Sequence, residues 1–233
     1  MTDLVRAALA DVQDLPRHVE ARAILLSGAC GVFGSPGAWA VRNEAPGGAV
    51  VVLVGAPEER VVRAALCDRA GRELLAPAEL EGTLRGWFPD WRHEGAVLYE
   101  LEGSPAEVAR DEDVRVLTAS DSLAHLETEL REEMESARAN RDVHALFADD
   151  LPVSFAYSYW RTEGLFDISI DTAETHRRRG FAARAARALI HAELELGRRP
   201  VWGAMDSNEA SHALARRLGF VPCDRLWSAA PVS

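Results

Sequence analysis

Lysine is absent from this chain of 233 residues, so all 26 of its basic residues are arginine. A lysine nucleophile, a Schiff base and a Walker-type phosphate loop are thereby excluded, because each needs an ammonium group. Cysteine is scarce: Cys30, Cys67 and Cys223 lie far apart with no C-x-x-C spacing, which argues for free thiols and against a metal cluster or disulfide framework. None of the 7 histidines forms an H-x-x-x-H pair, so no metal is expected. Long apolar runs are missing too. The longest, Gly48 to Gly55, is strand-sized and far short of the roughly 18 residues of a membrane span. The start, Thr2-Asp3 with Arg6 and Asp11 further on, is not that of a signal peptide. These absences predict a cytoplasmic protein with no membrane partner. Aromatic residues make up only 7%, yet 48% hydrophobic and 27% charged residues suit a folded chain with one large core or two small ones.

Acid outweighs base. A net charge of −11 repels a polyanion, which disfavours nucleic acid as a partner. The charge is uneven, however: from Asp171 to the C-terminus 10 arginines face 7 carboxylates. A basic segment on an acidic protein suits a small anionic ligand.

The first part reads as mixed α+β. Helical patterning runs through Leu4, Ala8, Leu9, Val12 and Leu15, and again from Val19 to Leu26. Turns around Gly34-Ser35-Pro36-Gly37 and Ala45-Pro46-Gly47-Gly48 bracket strands Ala38–Arg42 and Ala49–Val54. Helices follow from Pro57 and from Pro77, then a strand over Ala96–Leu101. Gly103-Ser104-Pro105 and Asp111-Glu112-Asp113 mark a boundary, giving regions 1–112 and 113–233. Beyond it the order is strand Val114–Thr118, helix Asp121–Ser136, strands Val143–Ala148, Val153–Thr162 and Leu165–Asp171, helix Arg179–Leu196, strand Pro200–Met205, helix Asn208–Leu218 and a last strand from Phe220. The acidic stretch Glu127–Glu135 reads as the solvated side of its helix.

Two segments carry the chemistry. Leu165 to Asp171 alternates at period two, with Phe166, Ile168 and Ile170 on one face and Leu165, Asp167, Ser169 and Asp171 on the other. After it, His176-Arg177-Arg178-Arg179-Gly180-Phe181-Ala182 leads into a helix with an apolar stripe of Phe181, Ala185, Ala188, Leu189, Ala192 and Leu196. The N-terminus of that helix offers unpaired N–H groups and the positive end of its dipole to an anion. Gly180 and Ala182 allow close approach to the main chain, and arginines add charge-assisted contacts to phosphate.

Arg177 to Ala182 resembles the R/Q-x-x-G-x-G/A pyrophosphate loop of the GNAT superfamily of N-acetyltransferases. The following Pro200-Val201-Trp202-Gly203-Ala204-Met205 and Asn208-x-x-Ser211-x-x-Leu214-Ala215-x-x-Leu218-Gly219-Phe220 are similar to the next strand and helix of that family, with its frequent L-G-F ending. The resemblance covers about Val114 to Val232. It implies an α/β (α+β) fold with a mixed, mostly antiparallel sheet and flanking helices, preceded by a smaller α+β region. The strand–strand–helix order of that region is compatible with a degenerate second copy of the fold, placed to cover one side of the cleft.

By the same resemblance the protein is an N-acetyltransferase that moves acetyl from acetyl-CoA, its co-substrate, directly to a primary amine of a small molecule or peptide. Loop residues Arg177, Arg178, Arg179, Gly180, Phe181 and Ala182 then hold the pyrophosphate. Strand residues Ile168, Ser169, Ile170, Asp171 and Thr172 pair with the pantetheine arm, and Asn208 and Ser211 contact the pantetheine or phosphate region. The position that often carries a tyrosine acid for the departing thiolate is Ala215 here. For the base, Asp167 comes first, with Asp171 and Glu163 behind it, because these acids lie on or beside the strand expected to line the cleft. Trp160, Trp202 and Tyr157 lie on or beside the strands flanking that cleft, where they pack in the core or shape an acceptor pocket. The alternative is a non-catalytic acyl-CoA sensor or interaction module. Either is compatible with a homodimer.

Overall fold

A computed structural model describes residues 2–46, 48–67, 71–103 and 111–232. Ser104 and Pro105 of the boundary signal, and Gly47 of the second turn, lie outside the described residues. The N-terminal elements are helices α1 (Asp3–Asp11) and α2 (Val19–Ser27), strands β1 (Cys30–Ser35), β2 (Ala38–Asn43) and β3 (Val50–Gly55), helix α3 (Glu59–Leu66), strand β4 (Glu73–Pro77), helix α4 (Glu81–Trp87) and strand β5 (Arg92–Leu101). Helix α1 starts where the Thr2 hydroxyl accepts from Val5 N, satisfying one of the free amides of a first turn. The turn joining β1 to β2 lies close to the end of β3. A Cβ on Gly55 (φ +66°) would meet Gly37 O at 1.9 Å, so only glycine fits there.

The C-terminal elements are strand β6 (Val114–Val116), helix α5 (Thr128–Asn140), strands β7 (His144–Ala148), β8 (Leu151–Tyr157), β9 (Leu165–Asp167) and β10 (Ser169–Thr172), helix α6 (Phe181–Glu195), strand β11 (Arg199–Met205), helix α7 (Glu209–Arg217) and strand β12 (Phe220–Ala230). Asp149 and Asp150 take left-handed φ values of 51° and 61° in the two-residue turn of the β7–β8 hairpin, where the twist of the strands favours that geometry.

Among the described residues, eight strands form one sheet in the order β1-β2-β3-β4-β12-β5-β11-β9, and four form a second in the order β10-β8-β7-β6. The two sheets are mostly antiparallel, with helices packed on them. The large sheet runs across residue 112: β5 is hydrogen-bonded antiparallel to β12 on one side and to β11 on the other. One core cluster accordingly joins Tyr99 of β5 to Phe166, Leu189, Trp202 and Phe220. No helix among the described residues is long and apolar enough to cross a membrane.

Several elements differ from the sequence expectation. Helix α5 begins at Thr128 rather than Asp121, because the Asp121 carboxylate is used in a turn, accepting from Thr118 N at 2.7 Å and pairing with Arg115 at 2.6 Å. Strand β8 ends at Tyr157, and the expected strand over Leu165–Asp171 is broken at Ile168. The buried face of α6 is Ala185, Ala186, Leu189, Ile190 and Glu193, while Leu196 stands 65% exposed beyond the helix end. Glu193 is held inside by Arg161 at 2.8 Å and Arg198 at 2.5 Å.

A carboxyl with one oxygen fully buried sits where α2 meets β9. Glu20 Oε2 has no hydrogen-bond partner, and desolvation, added to by the charge of nearby Asp167, pushes its carboxyl from 4.5 up to about 8. The raised value favours the folded state below pH 4.5, and that advantage is lost as the pH rises to 8. At pH 8 the deficit is at most about 4 kcal/mol, and a glutamine amide in its place recovers part of it. Glu20→Gln is therefore expected to flatten the decline in unfolding free energy between pH 5 and pH 8 and to be the more stable protein at pH 8. Urea unfolding at both values checks this, and parallel pH profiles for the two proteins would refute it.

Candidate functional site

Strands β9 and β11 run parallel and pair through Leu165–Asp167 and Arg199–Val201. At Ile168 they part. The chain of β9 continues as β10, which leaves the large sheet and pairs with β8, while β11 stays with β5. Between β10 and the second half of β11 opens a cleft of about 950 Å³. Because β10 is the edge of its sheet, one row of its backbone N–H and C=O groups has no strand partner, and Ser169–Thr172 line the cleft.

The basic end is built by the loop and two helices. Arg178 (φ +59°) and Gly180 (φ +82°) both adopt left-handed backbone just before α6, which brings the loop and the helix N-terminus to the cleft wall. The first amides of α6 lack intrahelical acceptors, so they remain as donors for an anion. Arg177, Arg178 and, from α7, Arg217 line the same end, and none has an ion-pair partner among the described residues. Arg177 Nε donates to Thr172 O at 3.2 Å, which ties the loop to the end of β10. Phe181 stacks on His176 with 6.3 Å between ring centroids. Three unpaired guanidiniums beside a helix start suit phosphate oxygens.

Asn208 caps α7 by accepting from Ser211 N at 3.0 Å, and Ser211 Oγ accepts from Trp202 Nε1 at 2.9 Å. Both residues also line the cleft. Ala215, one position past Leu214, is fully buried in the core between helix and sheet, so a side chain at that position does not face the cleft.

At the acidic end, Tyr157 Oη lies 2.6 Å from Glu133 Oε1 and 3.0 Å from Asp171 Oδ2. Desolvation, reinforced by the Glu133 charge, raises the pKa of Asp171 above the usual carboxylate range; the Tyr157 hydroxyl and Arg177 pull the other way. Burial, with Asp171 and Glu133 alongside, pushes the Tyr157 phenol far up, so it stays protonated. One phenolic hydrogen serves two carboxylates here. The arrangement therefore has room for a second proton or a cation.

The structure brings together Ile168, Ser169, Ile170, Asp171, Thr172, Arg177, Arg178, Gly180, Phe181, Ala182, Asn208 and Ser211 around one cleft. Arg179 is exposed and is not part of its lining. Asp167 and Glu163 are not brought to it either. The break at Ile168 separates Asp167 from Asp171, and the Asp167 carboxylate instead accepts from Ser158 Oγ and Trp160 N, each at 2.8 Å. Burial raises its pKa to about 6. Glu163 is held by Arg22 through two contacts of 2.8 Å.

Two charged lining residues were not among the expected ones. Glu133, read as part of a solvated helix face, faces Tyr157 and the cleft. Arg217 follows Ala210, Ala213 and Leu214 at helical spacing, the signal that could have found it. None of the lining residues precedes Glu133. The first region therefore does not cover this cleft among the described residues; it supports it from behind through β5.

Residues 144–226 match the family model described as GNAT acetyltransferase. No curated protein matches the chain. Among solved structures, a GNAT-family protein from Novosphingobium aromaticivorans superposes with a TM-score of 0.66 at 19% identity, covering 94% of this chain and 100% of its own. A GCN5-related N-acetyltransferase-like protein from Streptococcus suis gives 0.67 at 17% identity, covering 98% of each chain. A GCN5-related N-acetyltransferase from Kribbella flavida gives 0.62 at 13% identity, covering 100% of this chain and 97% of its own. At these identities the likeness is one of fold, and it includes the strands before residue 112. Residues 144–226 are thus a GNAT acetyltransferase domain, set in a fold that GNAT-family structures share along nearly the whole chain.

Proposed function

We propose that this protein is an N-acetyltransferase that moves acetyl from acetyl-CoA directly to a primary amine of a small molecule or peptide. The observation that carries the reading is the parting of β9–β10 from β11, which opens a cleft lined by arginines without ion-pair partners, a helix N-terminus and Asp171. The loop amides from Gly180 onward, with Arg177, Arg178 and Arg217, would hold the pyrophosphate. The free edge of β10 would pair with the pantetheine amides, and its N–H groups would polarise the thioester carbonyl.

Acetyl-CoA supplies the activated acyl group. Asp171, as carboxylate, takes a proton from the incoming ammonium so that the free amine can attack; a C–N bond forms, the C–S bond breaks, and the amine's second proton goes to the sulfur or to solvent. The buried Ala215 supplies no acid for the departing thiolate.

Calorimetric titration with acetyl-CoA, followed by thiol release across a panel of primary amines, tests this. Binding with thiol release for at least one amine is the expected result. Failure of the folded protein to bind acetyl-CoA would overturn it.

A further inference from the structure

Beside the Glu133–Tyr157–Asp171 cluster stands an arginine of the opposite preference, reached through one more aromatic ring. Tyr159, 43% exposed, stands edge-on to Tyr157 with ring centroids 5.3 Å apart. Over its ring lies the Arg141 guanidinium, 4.2 Å from the centroid. Arg141 Nη1 reaches Ser158 O at 3.4 Å, its Nε is buried with no partner, and no carboxylate among the described residues pairs with it. This sets it apart from Arg161, which packs nearby on the same Ser158 carbonyl but is neutralised by Glu193. In a chain with 37 carboxylates, an arginine held on an aromatic face without one is unspent charge.

Two carboxylates with one phenolic hydrogen between them want a cation; a stacked arginine two ring contacts away wants an anion. We infer that the acceptor carries both charges: its amine lies at Glu133, Tyr157 and Asp171, and a carboxylate a few bonds away is read by Arg141 on Tyr159. The substrate class is that of amino acids and short zwitterionic amines, and the product is the N-acetyl amino acid. This rests on the acetyltransferase reading above. Geometry favours it over a simple diamine, whose second ammonium would face the Arg141 guanidinium.

Glu133 comes from α5, Tyr157 and Tyr159 from β8 and the turn after it, Asp171 from β10, and Arg141 from the end of α5. The subsite is thus assembled from α5 with the residue that ends it, β8 with the turn after it, and β10.

The test compares thiol release from acetyl-CoA with the twenty amino acids against the matched decarboxylated amines, in wild type, Arg141→Gln and Arg141→Lys. Wild type is expected to prefer the acid over its decarboxylated amine by roughly tenfold or more in kcat/KM, through KM, as a charge-assisted contact would give. Arg141→Gln should bring that ratio close to one, and Arg141→Lys should restore part of it. Thermal unfolding of each variant confirms that it is folded. A wild-type ratio near one, a preference for the decarboxylated amines, an unchanged ratio in Arg141→Gln, or no turnover with either set would each overturn the inference. Loss of acetyl-CoA binding in the wild type would instead overturn the acetyltransferase reading, so the two failures are separable.

Discussion

Asp171→Asn is expected to lower kcat/KM by about 10²–10⁴-fold, the usual contribution of a positioned general base, while acetyl-CoA still binds. The carboxylate is the lining acid whose pKa lies above the ordinary Asp range, and its base form is the active one, so the acid limb of the wild-type pH profile should sit higher than for an exposed aspartate. Each neighbour should move that limb in a definite direction. Glu133 raises the Asp171 pKa by like charge, so Glu133→Gln should shift the limb to lower pH. The Tyr157 hydroxyl lowers it, so Tyr157→Phe should shift the limb to higher pH. Steady-state rates across pH for the three variants decide the matter. An Asn variant with wild-type kcat/KM would remove Asp171 from the chemistry.

Gly180→Glu should weaken acetyl-CoA binding by about 100-fold or more, since it puts a carboxylate against the phosphates. Two effects contribute and can be separated. Gly180 has φ +82°, where any side chain is strained at a cost of about 1 kcal/mol. A Cβ there meets nothing closer than Arg217 Nη2 at 4.0 Å, so space is not the obstacle. Gly180→Ala therefore carries the strain without the charge and should lose no more than about tenfold. Calorimetry on both variants distinguishes them. If Gly180→Glu bound as tightly as wild type, the phosphate cradle would have to lie elsewhere.

The phosphate end of the site was legible in the sequence because its signals are local. Three arginines, a glycine and an apolar helical stripe lie within twenty residues, and the fold gathers Arg177, Arg178 and Gly180 onto one cleft wall. The acid end was not, because it depends on contacts between elements. Period-two alternation put Asp167 and Asp171 on one face; the strand breaks at Ile168 to change sheets, and no propensity marks that break. Glu133 looks like any other glutamate of an acidic helix, and only the packing of α5 beside β8 turns it toward Tyr157. Strands β1 and β4 were missed for local reasons: glycines interrupt the first, and the second is five residues ending in Pro77. The position of β5 between β11 and β12 is pairing at long sequence separation, which composition and periodicity do not encode.

That position has a consequence for how the chain is made. During synthesis β5 leaves the ribosome with both edges bare, and its two partners, at residues 199–205 and 220–230, follow only after the whole of the small sheet. At about 5–20 residues per second, the wait lasts on the order of 5–20 seconds, during which Ala96, Leu98 and Tyr99 lack most of the residues they pack against. The rear wall of the cleft is thus among the last parts to close. A nascent chain stalled before Arg199 would be a sticky, holdase-seeking species rather than a half-finished enzyme.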